Sequence, residues 1–80
     1  MNREQIEQTV LSVLASVLKR QFESASDVTR QNTPGWDSLK HIEIMFALED
    51  ELGVEFSEEE LAHLDSVAKI TDATLAKHAA

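Results

Sequence analysis

Apolar residues recur along this chain at the spacing of helices rather than strands. In residues 3–21 an apolar side chain falls at every third or fourth position, which is typical of an amphipathic helix with one buried face. Residues 22–36 lack such a period and contain Pro34 and Gly35, so they are predicted to form a long loop. The pattern predicts a small all-α four-helix bundle, with three longer helices and a short third one. The predicted helices lie at about residues 3–21, 37–52, 58–64 and 66–77.

Local start and stop signals support these helices. Asn2 followed by Gln5, and Ser57 followed by Glu60, fit capping boxes, in which each side chain accepts a hydrogen bond from the other residue's backbone amide. Gly53 supplies a left-handed C-cap for the second helix. Three large apolar residues of the loop region are predicted to anchor it to the helices: Phe22, Val28 and Trp36.

The second predicted helix carries apolar residues on two opposite sides. One set is Ile44, Met45, Leu48 and Leu52, and the other set is Leu39, Ile42 and Phe46. A domain of this size rarely buries both sides of one helix. Three carboxylates flank the second set: Glu43, Glu49 and Asp50. An apolar stripe with an acidic rim is typical of a docking surface, and the alternative is that the loop or the short third helix covers it.

Composition restricts the classes of function. The 80 residues are predicted to form a single domain over residues 1–80, with little room for a deep catalytic cleft. A formal net charge of −8 argues against nucleic acid and anionic membranes, and favours partners with basic patches. The absence of cysteine excludes disulfides, cysteine-based zinc sites and a thiol nucleophile from the chain itself. With no signal peptide and no apolar run of membrane-spanning length, we expect a cytoplasmic protein. We also expect it to be a monomer.

Ser38 lies where the second helix is predicted to begin, and two interpretations of it are open. Asp37 and Ser38 are both of the type preferred at N-caps, so Ser38 can be a cap alone. A hydroxyl in the first turn also lies beside unpaired backbone N–H groups that favour an attached phosphodiester, and Asp37 can help a transferase hold a divalent metal. Nothing in the sequence provides a base for catalysis by Ser38. His41 is predicted to face the core, while His63 and His78 lie on other helices, so we predict no catalytic residue and no metal site.

The stretch GWDSLKHIEIMFALEDELGVEF, followed by SEEEL and DSV, closely resembles the phosphopantetheine-binding carrier proteins of the acyl carrier protein family. The resemblance covers nearly the whole chain. It implies a carrier that is not itself an enzyme, with 4′-phosphopantetheine attached to Ser38 from coenzyme A by a separate Mg-dependent phosphopantetheinyl transferase. The terminal thiol of that group would hold the cargo as a thioester. The resemblance also implies that partner enzymes dock on the acidic second helix, through Leu39, Ile42, Glu43, Phe46, Glu49 and Asp50.

The nature of the cargo stays open at this point. The implied partners, besides the transferase, are acyl-activating enzymes or ligases and acyltransferases or synthases with basic docking patches. Carriers of primary fatty acid synthesis usually have an acidic residue directly after DSL, and this chain has Lys40 there. We therefore predict a free-standing acyl carrier protein of fatty-acid-like or specialised acyl biosynthesis. The alternatives are an aminoacyl or peptidyl carrier for a discrete adenylating enzyme, and an acidic helical adaptor with no prosthetic group.

Overall fold

The computed structural model describes residues 2–22 and 28–79, and within them it contains four helices and no extended strand. The predicted all-α architecture, with three longer helices and one short third helix, is confirmed. Residues 23–27 of the predicted loop lie outside the described residues. No helix in the described ranges is both long and apolar enough to cross a membrane. The helices are α1 (Arg3–Leu18), α2 (Ser38–Leu52), α3 (Glu58–His63) and α4 (Val67–Ala79).

Helix α1 begins as predicted and ends earlier than predicted. Asn2 and Gln5 form the capping box, with N···O distances of 2.8 and 3.0 Å. The helix ends at Leu18 because Lys19 takes a left-handed conformation with φ of 55°. The three residues after Leu18 are polar and exposed, so continuing the helix to residue 21 would bury no further apolar surface.

The core lies between α1 and its two long neighbours, since α1 packs against both α2 and α4. Each of the three long helices contributes the apolar face that its periodicity predicts, whereas α3 contributes no buried residue. Helix α4 also buries Thr71 and Thr74, two threonines that break its apolar pattern in the sequence. The hydroxyl of Thr74 donates to the carbonyl of Ile70 at 2.9 Å, which satisfies it within its own helix.

The irregular segment before α2 is held against the start of α4. Thr29 forms an isolated antiparallel bridge with Ser66, in which the amide of Arg30 donates to the carbonyl of Asp65 at 2.8 Å. On the other side of that bridge, the amide of Val67 donates to the carbonyl of Val28 at 3.0 Å. These bonds give residues 28–37 a fixed path although they belong to no helix.

Helix α3 is short and is held by its neighbours at both ends. Ser57 and Glu60 form the predicted capping box at its start. Lys77 of α4 donates to the same carboxylate of Glu60 at 2.8 Å, and these bonds hold the pKa of Glu60 below its ordinary value. After α3, a hydrogen bond from Lys69 likewise lowers the pKa of Asp65.

Candidate functional site

At the start of α2, the N-cap and the exposed serine hydroxyl belong to two different residues. Asp37 is the N-cap, and its Oδ1 accepts a hydrogen bond from the backbone amide of Lys40 at 2.8 Å. Ser38 is the first residue of the helix and is exposed. Its hydroxyl is therefore not needed to begin the helix, and it lies in the first turn, at the positive end of the α2 dipole.

An arginine that the sequence analysis missed contacts this hydroxyl. Nη2 of Arg30 donates to Oγ of Ser38 at 3.0 Å, and Nε of Arg30 donates to the carbonyl of Trp36 at 3.2 Å. The signal in the sequence was faint: Arg30 is the one basic residue within residues 22–36. Its position depends on the path of the irregular segment, which periodicity does not predict.

His41 lies one turn after Ser38 and is buried, as its place on the helix predicts. The indole N–H of Trp36 donates to Nδ1 of His41 at 3.0 Å, and the two rings stack with their centroids 5.9 Å apart. Because an indole nitrogen only donates, Nδ1 must accept, and the ring proton lies on Nε2. Nε2 then donates to the carbonyl of Leu61 in α3 at 2.6 Å.

These two bonds exclude His41 as a base for Ser38 in this conformation. Both ring nitrogens are occupied by groups other than the serine, and the side chain is only 8% exposed. The other two histidines, His63 and His78, are exposed on α3 and α4. A nucleophilic serine needs a base within hydrogen-bond reach, and the described residues place none beside Ser38.

The second apolar set of α2 is exposed, as predicted. Leu39 is 67% exposed, Ile42 is 52% exposed and Phe46 is 60% exposed, so neither α3 nor the described part of the loop covers them. Glu43 and Asp50 are exposed beside this stripe. Glu43 also forms an ion pair with Lys40, with 3.3 Å between Nζ and Oε2.

Glu49 differs from the other acidic residues of the predicted rim. It is half-buried, and its Oε2 accepts a hydrogen bond from the backbone amide of Phe56 at 2.8 Å. This bond ties the end of α2 to the segment that leads into α3. The carboxylate of Glu49 thus has a structural role that helical spacing alone does not indicate.

A cleft of about 200 Å³ opens between α2 and α3, one turn along from Ser38. Its exposed lining is entirely apolar. Met45 reaches this cleft although its side chain is otherwise buried. The lining residues are His41, Ile42, Met45, Phe46 and Leu61.

A comparison with protein families identifies the chain. The family described as the phosphopantetheine attachment site matches residues 8–74, which is most of the 80 residues. The chain belongs to this family of carrier proteins. Its members carry a covalently attached 4′-phosphopantetheine group and are typically carriers rather than catalysts. No curated protein matches the chain closely enough to be reported as a relative.

The start of α2 fits the prosthetic group of a carrier protein. That group is joined through a phosphodiester, which carries a negative charge. The exposed hydroxyl of Ser38 lies beside the guanidinium of Arg30 and the positive end of the α2 dipole, and both favour an anion. The apolar cleft one turn further along suits the uncharged part of an arm or its cargo.

Proposed function

We propose that this protein is an acyl carrier protein, with 4′-phosphopantetheine attached to Ser38, that presents its cargo to partner enzymes. One observation carries the choice of Ser38. It is an exposed serine in the first turn of α2, and its hydroxyl is left available because Asp37 performs the capping. The matched family supports the presence of such a group, and the geometry of this turn supports its location.

The attachment is a phosphoryl transfer to an alcohol. Oγ of Ser38 forms a bond to the pantetheine-side phosphorus of coenzyme A, the anhydride bond between the two phosphoryl groups breaks, and adenosine 3′,5′-bisphosphate leaves. The hydroxyl proton goes to a base of the transferase, because both nitrogens of His41 are already engaged. Asp37 uses Oδ1 as a cap and offers its other oxygen to the transferase's magnesium. Once attached, the group supplies a thiol that holds the cargo as a thioester.

The exposed face of α2 is the proposed docking surface for the transferase and for enzymes that load or use the cargo. Leu39, Ile42 and Phe46 provide apolar contacts, and the rim carboxylates complement basic patches. Glu43 and Asp50 carry most of that charge in this proposal. The carboxylate of Glu49 contributes less, because it already accepts a backbone hydrogen bond.

The cleft favours an acyl cargo over an aminoacyl cargo. Its lining is apolar, and it lies between α2 and α3 near the attachment point. An alkyl chain gains free energy by leaving water for such a lining, whereas a charged ammonium group loses its hydration there. An aminoacyl cargo would therefore stay in solvent.

Intact mass measures the attachment directly. The chain is incubated with coenzyme A, Mg²⁺ and a broad-specificity phosphopantetheinyl transferase. We expect a gain equal to one phosphopantetheine group in the wild type and no gain in Ser38→Ala. Ser57→Ala is the matched control, because Ser57 is also an exposed serine at a helix start and should leave the gain unchanged. An unmodified wild type would overturn the proposal and leave the acidic adaptor.

A second measurement separates the two cargo classes. Octanoyl and glycyl forms of the modified chain are prepared, and methyl NMR spectra are compared with the unloaded form. The methyl resonances of Met45 and Leu61 should shift with octanoyl and stay in place with glycyl. Equal spectra for the two cargoes would contradict the assignment of this cleft to an acyl chain.

A further inference from the structure

Arg30 is a cation in direct contact with the proposed attachment atom. We propose that Arg30 binds the phosphodiester of the modified protein and thereby fixes the base of the prosthetic arm, an inference that rests on attachment at Ser38. Its Nη2 lies 3.0 Å from Oγ of Ser38. After modification that oxygen is bonded to phosphorus, so the non-bridging oxygens of the phosphodiester lie two covalent bonds beyond it. The guanidinium is thus within reach of them with only a small rotation.

The guanidinium is already held in position before any anion arrives. Its Nε donates to the carbonyl of Trp36, and that indole is only 3% exposed. The backbone of Arg30 is fixed as well, because its amide donates to Asp65 and its carbonyl accepts from the amide of Thr33 at 3.4 Å. A side chain fixed in this way loses less conformational entropy when it binds a ligand.

The charge of Arg30 is not spent on a carboxylate in the described part of the chain. Among the described residues its side chain donates to two uncharged oxygens, from Trp36 and Ser38. Four other basic side chains are in ion pairs within the same residues: Arg3, Lys40, Lys69 and Lys77. In a chain of net charge −8, a guanidinium whose partners among the described residues are neutral oxygens can pair its charge with an anion attached to Ser38.

Modification replaces a neutral acceptor beside Arg30 with a negatively charged one. The serine hydroxyl is a neutral acceptor, whereas a phosphodiester offers charged oxygens that a planar guanidinium binds in a fork. The contact with Arg30 therefore becomes stronger in the modified protein than in the unmodified one. Lys40 lies two residues after Ser38 but is paired with Glu43, so the same gain is not expected of it.

A purely structural role for Arg30 predicts a different outcome. If Arg30 only tied residues 28–37 to α2, its removal would lower Tm equally in the unmodified and modified proteins. If it binds the phosphodiester, removal costs more in the modified protein. Attachment of the group and substitution of Arg30 then form the two changes of a double-mutant cycle. Effects of the substitution on packing are the same in both forms of the protein and cancel.

The experiment measures Tm of the unmodified and modified forms of the wild type, Arg30→Gln and Lys40→Gln at low salt. The change in Tm on modification should be about 4–8 °C less favourable in Arg30→Gln than in the wild type, the size that a hydrogen bond of typical net strength produces in a domain of this length. Lys40→Gln removes the same charge close to Ser38 and should match the wild type. Arg30→Lys should keep part of the coupling, and added salt should reduce it. An equal change in all variants overturns the proposal.

A measurement on the wild type decides the matter if Arg30→Gln does not fold. The Nη–H resonances of Arg30 are followed by ¹⁵N NMR at low temperature, together with the ³¹P resonance of the modified protein. We expect the Nη–H resonances to shift on modification and the ³¹P resonance to move with added salt. Unchanged Nη–H resonances would overturn the role of Arg30 even though the mass gain had established attachment. Absence of the mass gain, in contrast, would remove the proposed function itself.

Discussion

Replacing Trp36 by Phe tests how the start of α2 is held against α3. The substitution keeps an aromatic ring and removes the N–H that donates to Nδ1 of His41 at 3.0 Å. Both side chains are buried, at 3% and 8% exposure, so water does not readily replace the lost donor. Leaving a buried acceptor without its partner costs about 1–3 kcal/mol. For a domain of this size each kcal/mol corresponds to about 4–8 °C in Tm.

The smaller ring also leaves a cavity, so the hydrogen bond has to be separated from packing. A double-mutant cycle with His41→Phe does this, because that background lacks the acceptor nitrogen. Unfolding in urea is followed by the helical circular dichroism signal for the wild type, both single variants and the double variant. Trp36→Phe should cost about 1 kcal/mol more in the wild type than in the His41→Phe background. Equal costs in the two backgrounds would show that the Trp36–His41 bond contributes nothing to stability.

Three further outcomes follow from charges on α2 and α3. Glu43→Lys combined with Asp50→Lys should slow modification by the transferase by about tenfold or more at low salt, with unchanged helicity, and a rate equal to the wild type would mean that docking uses another face. Glu49→Ala should lower the free energy of unfolding by about 1 kcal/mol, because the backbone amide of Phe56 loses its acceptor. Asp50→Ala should change the free energy of unfolding little in the same urea titration. Acidification should lower Tm below about pH 4.3, because Lys77 lowers the pKa of Glu60 in the folded state. The stabilisation from this ion pair is present above the unfolded-state pKa of Glu60 and is lost as pH falls through its folded-state pKa. Lys77→Gln should flatten this acid limb of a melting series, and an unaltered limb would argue against the pair.

Features that depend on neighbours in the sequence were predictable. The capping boxes of α1 and α3 need only residues three positions apart, and both are present. The two-sided character of α2 needs only helical periodicity, and Leu39 and Phe46 are exposed while Ile44 is buried. The end of α1 was placed three residues too late, because periodicity does not reveal that Lys19 adopts a left-handed conformation.

The features that the sequence did not reveal are the contacts that join α2 to irregular segments. Arg30 reaches Ser38 because the bridge between Thr29 and Ser66 fixes the path of the preceding chain, and that bridge joins residues far apart in sequence. The carboxylate of Glu49 has a structural role because the fold places the amide of Phe56 within hydrogen-bond distance of it. A helical wheel gives the direction of each side chain from its own helix, but it contains no information about which backbone group will approach. The exposed apolar stripe of α2 could therefore be predicted from α2 alone, whereas the charge and polar bonding around Ser38 required the fold of the segments on either side.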